Sequence, residues 1–110
     1  MSVRWTQETT HIFGGAATAT IALVPAVARL RVSLHRCILT LGATAVNVTF
    51  QDTTGAALSQ AMQIAANGAL VLDISEEGEP WWTTAVGLGL QLGQTGTTQV
   101  NFDIWFKQSP

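Results

Sequence analysis

Residues 28–50 read ARLRVSLHRCILTLGATAVNVTF, and this stretch decides the fold class. In residues 30–34 and again in residues 46–50, apolar side chains alternate with polar ones. A period of two places each apolar set on one face of a β-strand. Two such strands cannot bury their apolar faces alone, so the sequence predicts a second layer of sheet that covers them.

The apolar phase of this stretch changes near His35 and Arg36. Before that point the apolar residues are even-numbered, as Leu34 is, and after it they are odd-numbered, as Cys37 is. One additional residue in a strand produces such a change, so we predict a β-bulge or a strand bend there. Ile38 then falls on the opposite face, which indicates a strand covered on both sides.

Further alternating runs occupy most of the remaining chain. They lie in residues 11–13, 18–23, 70–74, 86–92 and 98–107, and no run combines a sustained period of 3.6 with helix caps. In the last run, the even-numbered residues 100–106 are predicted to face the core together with Val46, Val48 and Phe50. About eight strands at this spacing predict an all-β fold, an antiparallel β-sandwich of jelly-roll type.

Glycines add local predictions to this pattern. Gly14 and Gly15 are expected to break the first strand, and Asn67-Gly68 is typical of a two-residue hairpin turn. Gly87 and Gly89, within the run at residues 86–92, are expected to let another backbone approach closely.

Length and composition indicate one domain that associates with other subunits. The 110 residues suit one core, which we divide into a polar N-terminal arm at residues 1–10 and a sandwich domain at residues 11–110. Charged residues make up 11% of the chain and hydrophobic residues 47%, whereas an ordinary domain has roughly 25% charged residues. So few charges predict a homo-oligomer whose subunits cover one another.

Charge and hydropathy also argue against two classes of partner. Five basic residues are outnumbered by seven acids, which leaves no basic stripe for a nucleic acid. The apolar stretch at residues 21–30 contains Pro25 and Arg29 and is shorter than the roughly 20 residues that a membrane span needs. The N-terminus lacks a signal-peptide pattern, so we expect synthesis and assembly in the host cytoplasm, with no membrane partner.

Few residues are candidates for catalysis or metal binding. His35 and Cys37 suggest a metal site or a nucleophile, but zinc needs about four ligands and a nucleophile needs an oriented base. We therefore interpret Cys37 as a core residue and His35 as a surface or interface residue. The acidic residues 73–79 do not match a calcium loop and are interpreted as solvated. We expect no catalytic residue, no metal and no cofactor.

Tryptophan is the residue that this chain has in excess, with four copies and no tyrosine. Trp105 alternates out of phase with the buried row of its strand, and aromatic residues are enriched at interface hot spots. The alternative is that these rings cover the ends of a monomeric sandwich. The residues predicted to bind a partner are Trp5, Trp81, Trp82, Trp105, Arg29 and Arg31.

The order of residues 46–58, the turn at 67–68 and residues 70–74, 82–92 and 97–106 resembles small β-sandwich virion proteins of tailed bacteriophages. These are the head decoration (cement) proteins and the knob modules of fibres. The resemblance implies a non-enzymatic structural protein located in the virion. In its most specific form, the resemblance implies a capsid decoration protein that forms a homotrimer and binds the major capsid protein or other virion proteins.

Two other functions remain open from the sequence. A tail-fibre or spike knob would bind a host receptor or glycan, with Trp81 and Trp82 as its surface. A small glycan hydrolase would use the acidic loop beside these tryptophans, since glycoside hydrolysis needs paired carboxylates in a sugar-binding cleft.

Overall fold

The computed structural model describes residues 9–73 and 79–110, which form nine β-strands and no helix. This confirms the predicted all-β class. None of the described residues belongs to a helix long and apolar enough to cross a membrane. The strands are β1 (Thr10–Ala16), β2 (Thr20–Val24), β3 (Arg31–Leu41), β4 (Val46–Asp52), β5 (Met62–Ile64), β6 (Ala69–Leu72), β7 (Trp82–Thr83), β8 (Leu90–Gln94) and β9 (Val100–Ser109).

The strands form two antiparallel sheets. The first sheet has the order β1-β9-β3-β6, with the short β7 also paired to β3, and the second has the order β2-β8-β4-β5. Apart from β7, the pairs β1–β9, β2–β8, β3–β6 and β4–β5 are nested along the chain, as in a long hairpin rolled up on itself. This is the strand order of a jelly roll, so the predicted architecture is confirmed.

The two strands of the stretch at residues 28–50 lie in different sheets, and both contribute side chains to the core between the sheets. The turn after Leu41 carries the chain from β3 in the first sheet to β4 in the second. The predicted bulge is present, because the register between β3 and β9 shifts between Leu34 and Arg36. It keeps Leu34 and Cys37 fully buried on either side of the shift.

The bulge also overturns one expectation. His35 was interpreted as a surface or interface residue, but it is only 5% exposed. In a regular strand, alternation would place His35 on the face opposite Leu34. The additional residue breaks that alternation, so two consecutive side chains are buried.

The core lies between the sheets and is made of the residues predicted to face inward. The even-numbered residues 100–106 of β9 and the even-numbered residues of β4 are all buried, which confirms that prediction. The largest fully buried side chains are Phe50, Ile21, Leu34, Leu39, Leu90, Leu92 and Ile104.

Two predictions at glycines were wrong and one was confirmed. β1 continues through Gly14, because a Cβ atom there would lie 3.0 Å from the Phe102 ring, so glycine makes room for that ring. Residues 86–89 are not strand: Gly87 has φ +85° and β8 begins only at Leu90. At Gly89 the expected close approach is confirmed, since a Cβ atom would lie 2.2 Å from the carbonyl oxygen of Val24.

Asn67-Gly68 forms a turn but not the predicted hairpin. Asn67 has φ 57°, and the Gly68 N–H donates to the carbonyl of Ala65. The strands on either side, β5 and β6, pair with β4 and β3 in opposite sheets. The positions of β5 and β6 are therefore decided by their pairing with β4 and β3, and not by pairing with each other across the turn.

Candidate interaction surface

The most distinctive surface of the described chain is the outer face of the first sheet, formed by the outward side chains of β1, β9, β3 and β6. Phe13, Asp103, Ile38 and Val71 lie opposite one another in register and form a row across all four strands. Phe13 is 79% exposed and Val71 56% exposed. Three of the four side chains in this row are therefore apolar and at least partly in water.

A second row lies beside it and is held together by aromatic contacts. His11 and Arg36 flank Trp105 in register on the neighbouring strands. The imidazole of His11 stacks on the indole of Trp105 with ring centroids 4.3 Å apart. The guanidinium carbon of Arg36 lies 4.7 Å from the Trp105 ring centroid, a cation–π contact.

Charges on this face are paired within the chain. The Nε2 atom of His11 donates to Asp103 Oδ1 at 2.9 Å, and Arg36 Nε lies 3.3 Å from Asp73 Oδ1. The Arg36–Asp73 ion pair is exposed and adds little stability. Because Arg36 has an acidic partner and the Asp103 carboxylate accepts a hydrogen bond from His11, the face offers a neighbour mainly aromatic and aliphatic surface.

The predicted partner-binding residues are divided among several places. Trp105 lies half-buried on the outer face, and Arg31 begins β3 opposite Ser109. Arg29 is exposed in the preceding turn, where it has φ 70°. Trp5 lies outside the described residues, as do Glu76 and Glu77.

Trp81 and Trp82 come together but have different surroundings. Trp82 pairs with Leu34 and stacks on Phe50, with ring centroids 5.0 Å apart, so its side chain belongs to the rim of the core. Trp81 is 41% exposed, and its ring lies 6.1 Å from that of Trp82. Of this pair, only Trp81 presents much of its ring to solvent.

Sequence reasoning missed Phe13 and Val71 as members of the outer face. A signal was present at Ile38, which is apolar on the face opposite the core row of β3. An apolar residue on the outward side of a central strand indicates that its neighbours on the adjacent strands belong to the same apolar surface. The register needed to find those neighbours was not in the sequence.

Two titratable side chains, the buried Cys37 and the turn residue Asp52, have shifted pKa values with structural causes. Burial raises the pKa of the Cys37 thiol to about 12, with a smaller contribution from the charge of Asp103, so the thiol is neutral. The Thr54 hydroxyl, which donates to Asp52, lowers the pKa of that carboxyl, and the N–H groups of Thr54 and Ala56 act in the same direction. Asp52 thus holds the turn after β4.

Within residues 9–73 and 79–110, no three His, Cys, Asp or Glu side chains are grouped so that they could hold a metal ion. One open depression of about 380 Å³ lies at an end of the sandwich. It is lined by residues 44–46 and 95–98, four of which are threonines, and none of its lining side chains is titratable.

Comparison with known proteins assigns this chain to no family. No protein-family model matches the chain, and no curated protein is significantly similar to it. Among solved structures, a chain of the virus-like particle of extra small virus, from the giant freshwater prawn Macrobrachium rosenbergii, is similar over 98% of this chain and 81% of that chain. The identity is 8% and the TM-score 0.40. Values this low define neither a family nor a function.

Proposed function

We propose that this protein is a non-catalytic structural component of a virus particle that works by lying against neighbouring subunits. The observation that carries the proposal is the outer face of the first sheet. There Phe13 and Val71 are largely exposed, while Arg36 and His11 have carboxylate partners within the chain. A face of this kind gains most from being covered by another protein.

The architecture supports the same role. Jelly rolls are used by viral capsid proteins, by lectins and by cupins, so the strand order alone does not choose among these functions. The exposed residues do favour one of them. They form an aromatic and aliphatic surface on the outside of a sheet, which suits a protein neighbour better than a small molecule held in a cleft.

Within that role, capsid decoration is the function that we propose. A decoration protein binds an assembled lattice and stabilises it by mass action. The low charge content of the chain and the resemblance to phage decoration proteins support this role. A homotrimer, with an arm at residues 1–10 that carries Trp5 to a neighbour, remains part of the proposal.

A knob that binds a receptor or glycan is the second candidate, and Trp81 favours it. Its exposed ring beside Trp82 resembles the aromatic platforms on which apolar ligand faces pack. A glycan array probed with wild-type protein and with Trp81→Ala tests this candidate. Binding that depends on Trp81 would support the knob in place of the decoration protein.

The decoration role is tested by co-sedimentation of the purified protein with particles that lack it, at low and high salt, followed by heating. We expect binding at both salt concentrations, because the outer face has little unpaired charge to screen. We also expect bound particles to withstand a higher temperature. Absence of binding, or binding without added heat resistance, would contradict the proposal.

Two lysine substitutions locate the binding surface. Val71→Lys places a charge on the outer face and should weaken particle binding by about tenfold or more. Asn47→Lys places the same charge on the exposed side of β4 in the second sheet and should leave binding unchanged. Equal loss in both variants would show that added charge, rather than the outer face, controls binding.

A further inference from the structure

β1 is the one long sheet edge in the described chain that lacks the usual protection against pairing. It has seven residues and, among the described strands, pairs only with β9. At the other edges, β5 has three residues, β6 has four, and β2 contains a register shift and is followed by Pro25. Short strands, bulges, prolines and charges are the devices that keep natural edges from pairing. β1 reads THIFGGA and contains no lysine, arginine, acid or proline.

None of the described strands occupies the backbone groups along this edge. In an antiparallel pair, alternate residues direct their N–H and C=O groups away from the neighbouring strand. About three or four residues of β1 therefore direct hydrogen-bonding groups outward, and most of its side chains are exposed.

The sequence of β1 also fits a second copy of itself. If two β1 strands run antiparallel about a two-fold axis at Phe13, Ile12 lies opposite Gly14 and His11 lies opposite Gly15. Thr10 then lies opposite Ala16. Each larger residue faces a small one, and the two Phe13 side chains meet on the outer face, where cross-strand aromatic pairs are favourable.

We propose that β1 is a self-association edge, at which two copies of this chain join their first sheets through an antiparallel β1–β1 pair centred on Phe13. The pair would form about six to eight backbone hydrogen bonds and make one continuous sheet of eight strands besides the two short β7 strands. This inference goes beyond the virion role and concerns the protein by itself. A two-fold contact at β1 and a trimer closed through another surface can coexist in one lattice.

The first test compares two lysine substitutions in the same row of the outer face. Phe13→Lys places two ammonium groups opposite each other across the two-fold axis, where like charges are destabilising. Val71→Lys makes the same change at the opposite edge of the sheet. Analytical ultracentrifugation of the full chain should show that Phe13→Lys raises the dissociation constant at least about tenfold, whereas Val71→Lys leaves it near the wild-type value.

Each other outcome of this comparison counts against the proposal. A wild-type protein that stays monomeric up to high micromolar concentration would overturn it, as would a Phe13→Lys variant that associates normally. Equal loss in both variants would assign association to the outer face rather than to the β1 edge. Melting curves serve as the folding control. Both side chains are exposed, so both lysine variants should melt at close to the wild-type temperature.

The second test measures register. The native Cys37 thiol is buried, so a cysteine introduced in β1 is the reactive one. Under mild oxidation, Phe13→Cys should form a disulfide-linked dimer, because the two positions face each other. Thr10→Cys should not, since its two copies would lie roughly 20 Å apart, six residues along the strands. A dimer from Thr10→Cys with none from Phe13→Cys would exclude the proposed pairing.

The two experiments separate this proposal from the virion role. Val71→Lys is expected to lose particle binding and keep self-association, whereas Phe13→Lys is expected to lose self-association. Failure of particle binding with intact β1 cross-linking would overturn only the proposed function. Failure of cross-linking with intact particle binding would overturn only the β1 contact.

Discussion

The imidazole of His11 stacks on the indole of Trp105 with ring centroids 4.3 Å apart and planes within 10° of parallel. The two residues are 94 positions apart in the chain and become neighbours because β1 pairs with β9. Arg36 contacts the same indole from β3. One aromatic ring thus joins the three strands that form most of the outer face.

The Trp105 contacts should be measurable as coupling energies. We expect Trp105→Leu to lower the free energy of unfolding by about 1 kcal/mol, within the range for aromatic pairs. A double-mutant cycle with Arg36→Met should give a coupling of about 0.5 to 1 kcal/mol, as cation–π pairs at exposed sites do. The control cycle between Trp105→Leu and Asn47→Met, which lies on the exposed side of β4 in the second sheet, should give a coupling near zero. Urea denaturation supplies the free energies, and equal coupling in both cycles would refute the contact.

Two phenylalanines test the assignment of inner and outer faces. Phe102 is buried on β9, so Phe102→Ala should cost about 3 to 5 kcal/mol, the usual range for a large aromatic side chain in a core. Phe13→Ala, on the neighbouring strand but outward, should change stability by less than about 0.5 kcal/mol in the monomer. Thermal or urea unfolding at low protein concentration distinguishes the two. Similar costs would mean that the faces are assigned wrongly.

Gly89 should be the least replaceable glycine among those described. In Gly89→Ala the new Cβ atom would lie 2.2 Å from the Val24 carbonyl oxygen and 2.6 Å from the Ala26 nitrogen. Both contacts are to backbone, which cannot rotate away as a side chain can, so we expect a loss of about 1 to 3 kcal/mol or more. Gly96→Ala meets nothing within 4 Å and serves as the control. Melting temperatures that fall equally in both variants would be inconsistent with the close approach at Gly89.

The turn after β4 should contribute to the acid sensitivity of the protein. Because the Thr54 hydroxyl lowers the pKa of Asp52 in the folded state, this carboxylate contributes stability that is fully present above its unfolded pKa of about 3.9. That contribution is lost as the pH falls through the lower folded pKa. We therefore expect Thr54→Ala to destabilise the protein at pH 6 and to differ less from wild type as the pH falls below about 4.

The neighbouring threonine provides the control for this pH series. Thr53 accepts a hydrogen bond from the Gly89 N–H and has no role in holding the Asp52 carboxylate. Thr53→Ala should lower the melting temperature by a similar amount at each pH. If the deficit of Thr54→Ala is also constant from pH 7 to pH 2, the Asp52 turn has no part in acid unfolding.

The fold could be predicted well because its signal is local. Alternation along β3, β4 and β9 identifies the core residues, since a period of two depends only on neighbouring positions in the chain. The bulge after Leu34 was predictable for the same reason, as an additional residue changes the phase of the pattern. Errors occurred where a long-range contact overrides a local preference. Phe102 lies against Gly14 and lets β1 continue, and the rolled chain separates β5 from β6 across the Asn67-Gly68 turn.

The candidate surface was less predictable than the fold. Trp105 was identified from its phase, but Phe13 and Val71 were not, because their importance depends on the residues beside them. The register Phe13–Asp103–Ile38–Val71 joins positions from four separate parts of the chain. The contact of Trp82 with Phe50, which lies in the other sheet, was likewise not predictable from the order of residues.

By itself, the sequence determined the fold class, the inward-facing residues of the main strands and the shortage of charge. These properties follow from the order of apolar and polar residues along the chain. Only the tertiary structure decided which outward residues form one surface and which strand edge is left open. The physical reason is that strand register and sheet order are set by packing of the whole core, where each strand's position depends on all the others. The open edge at β1 exists because β9 pairs with one side of that strand and none of the described strands pairs with the other.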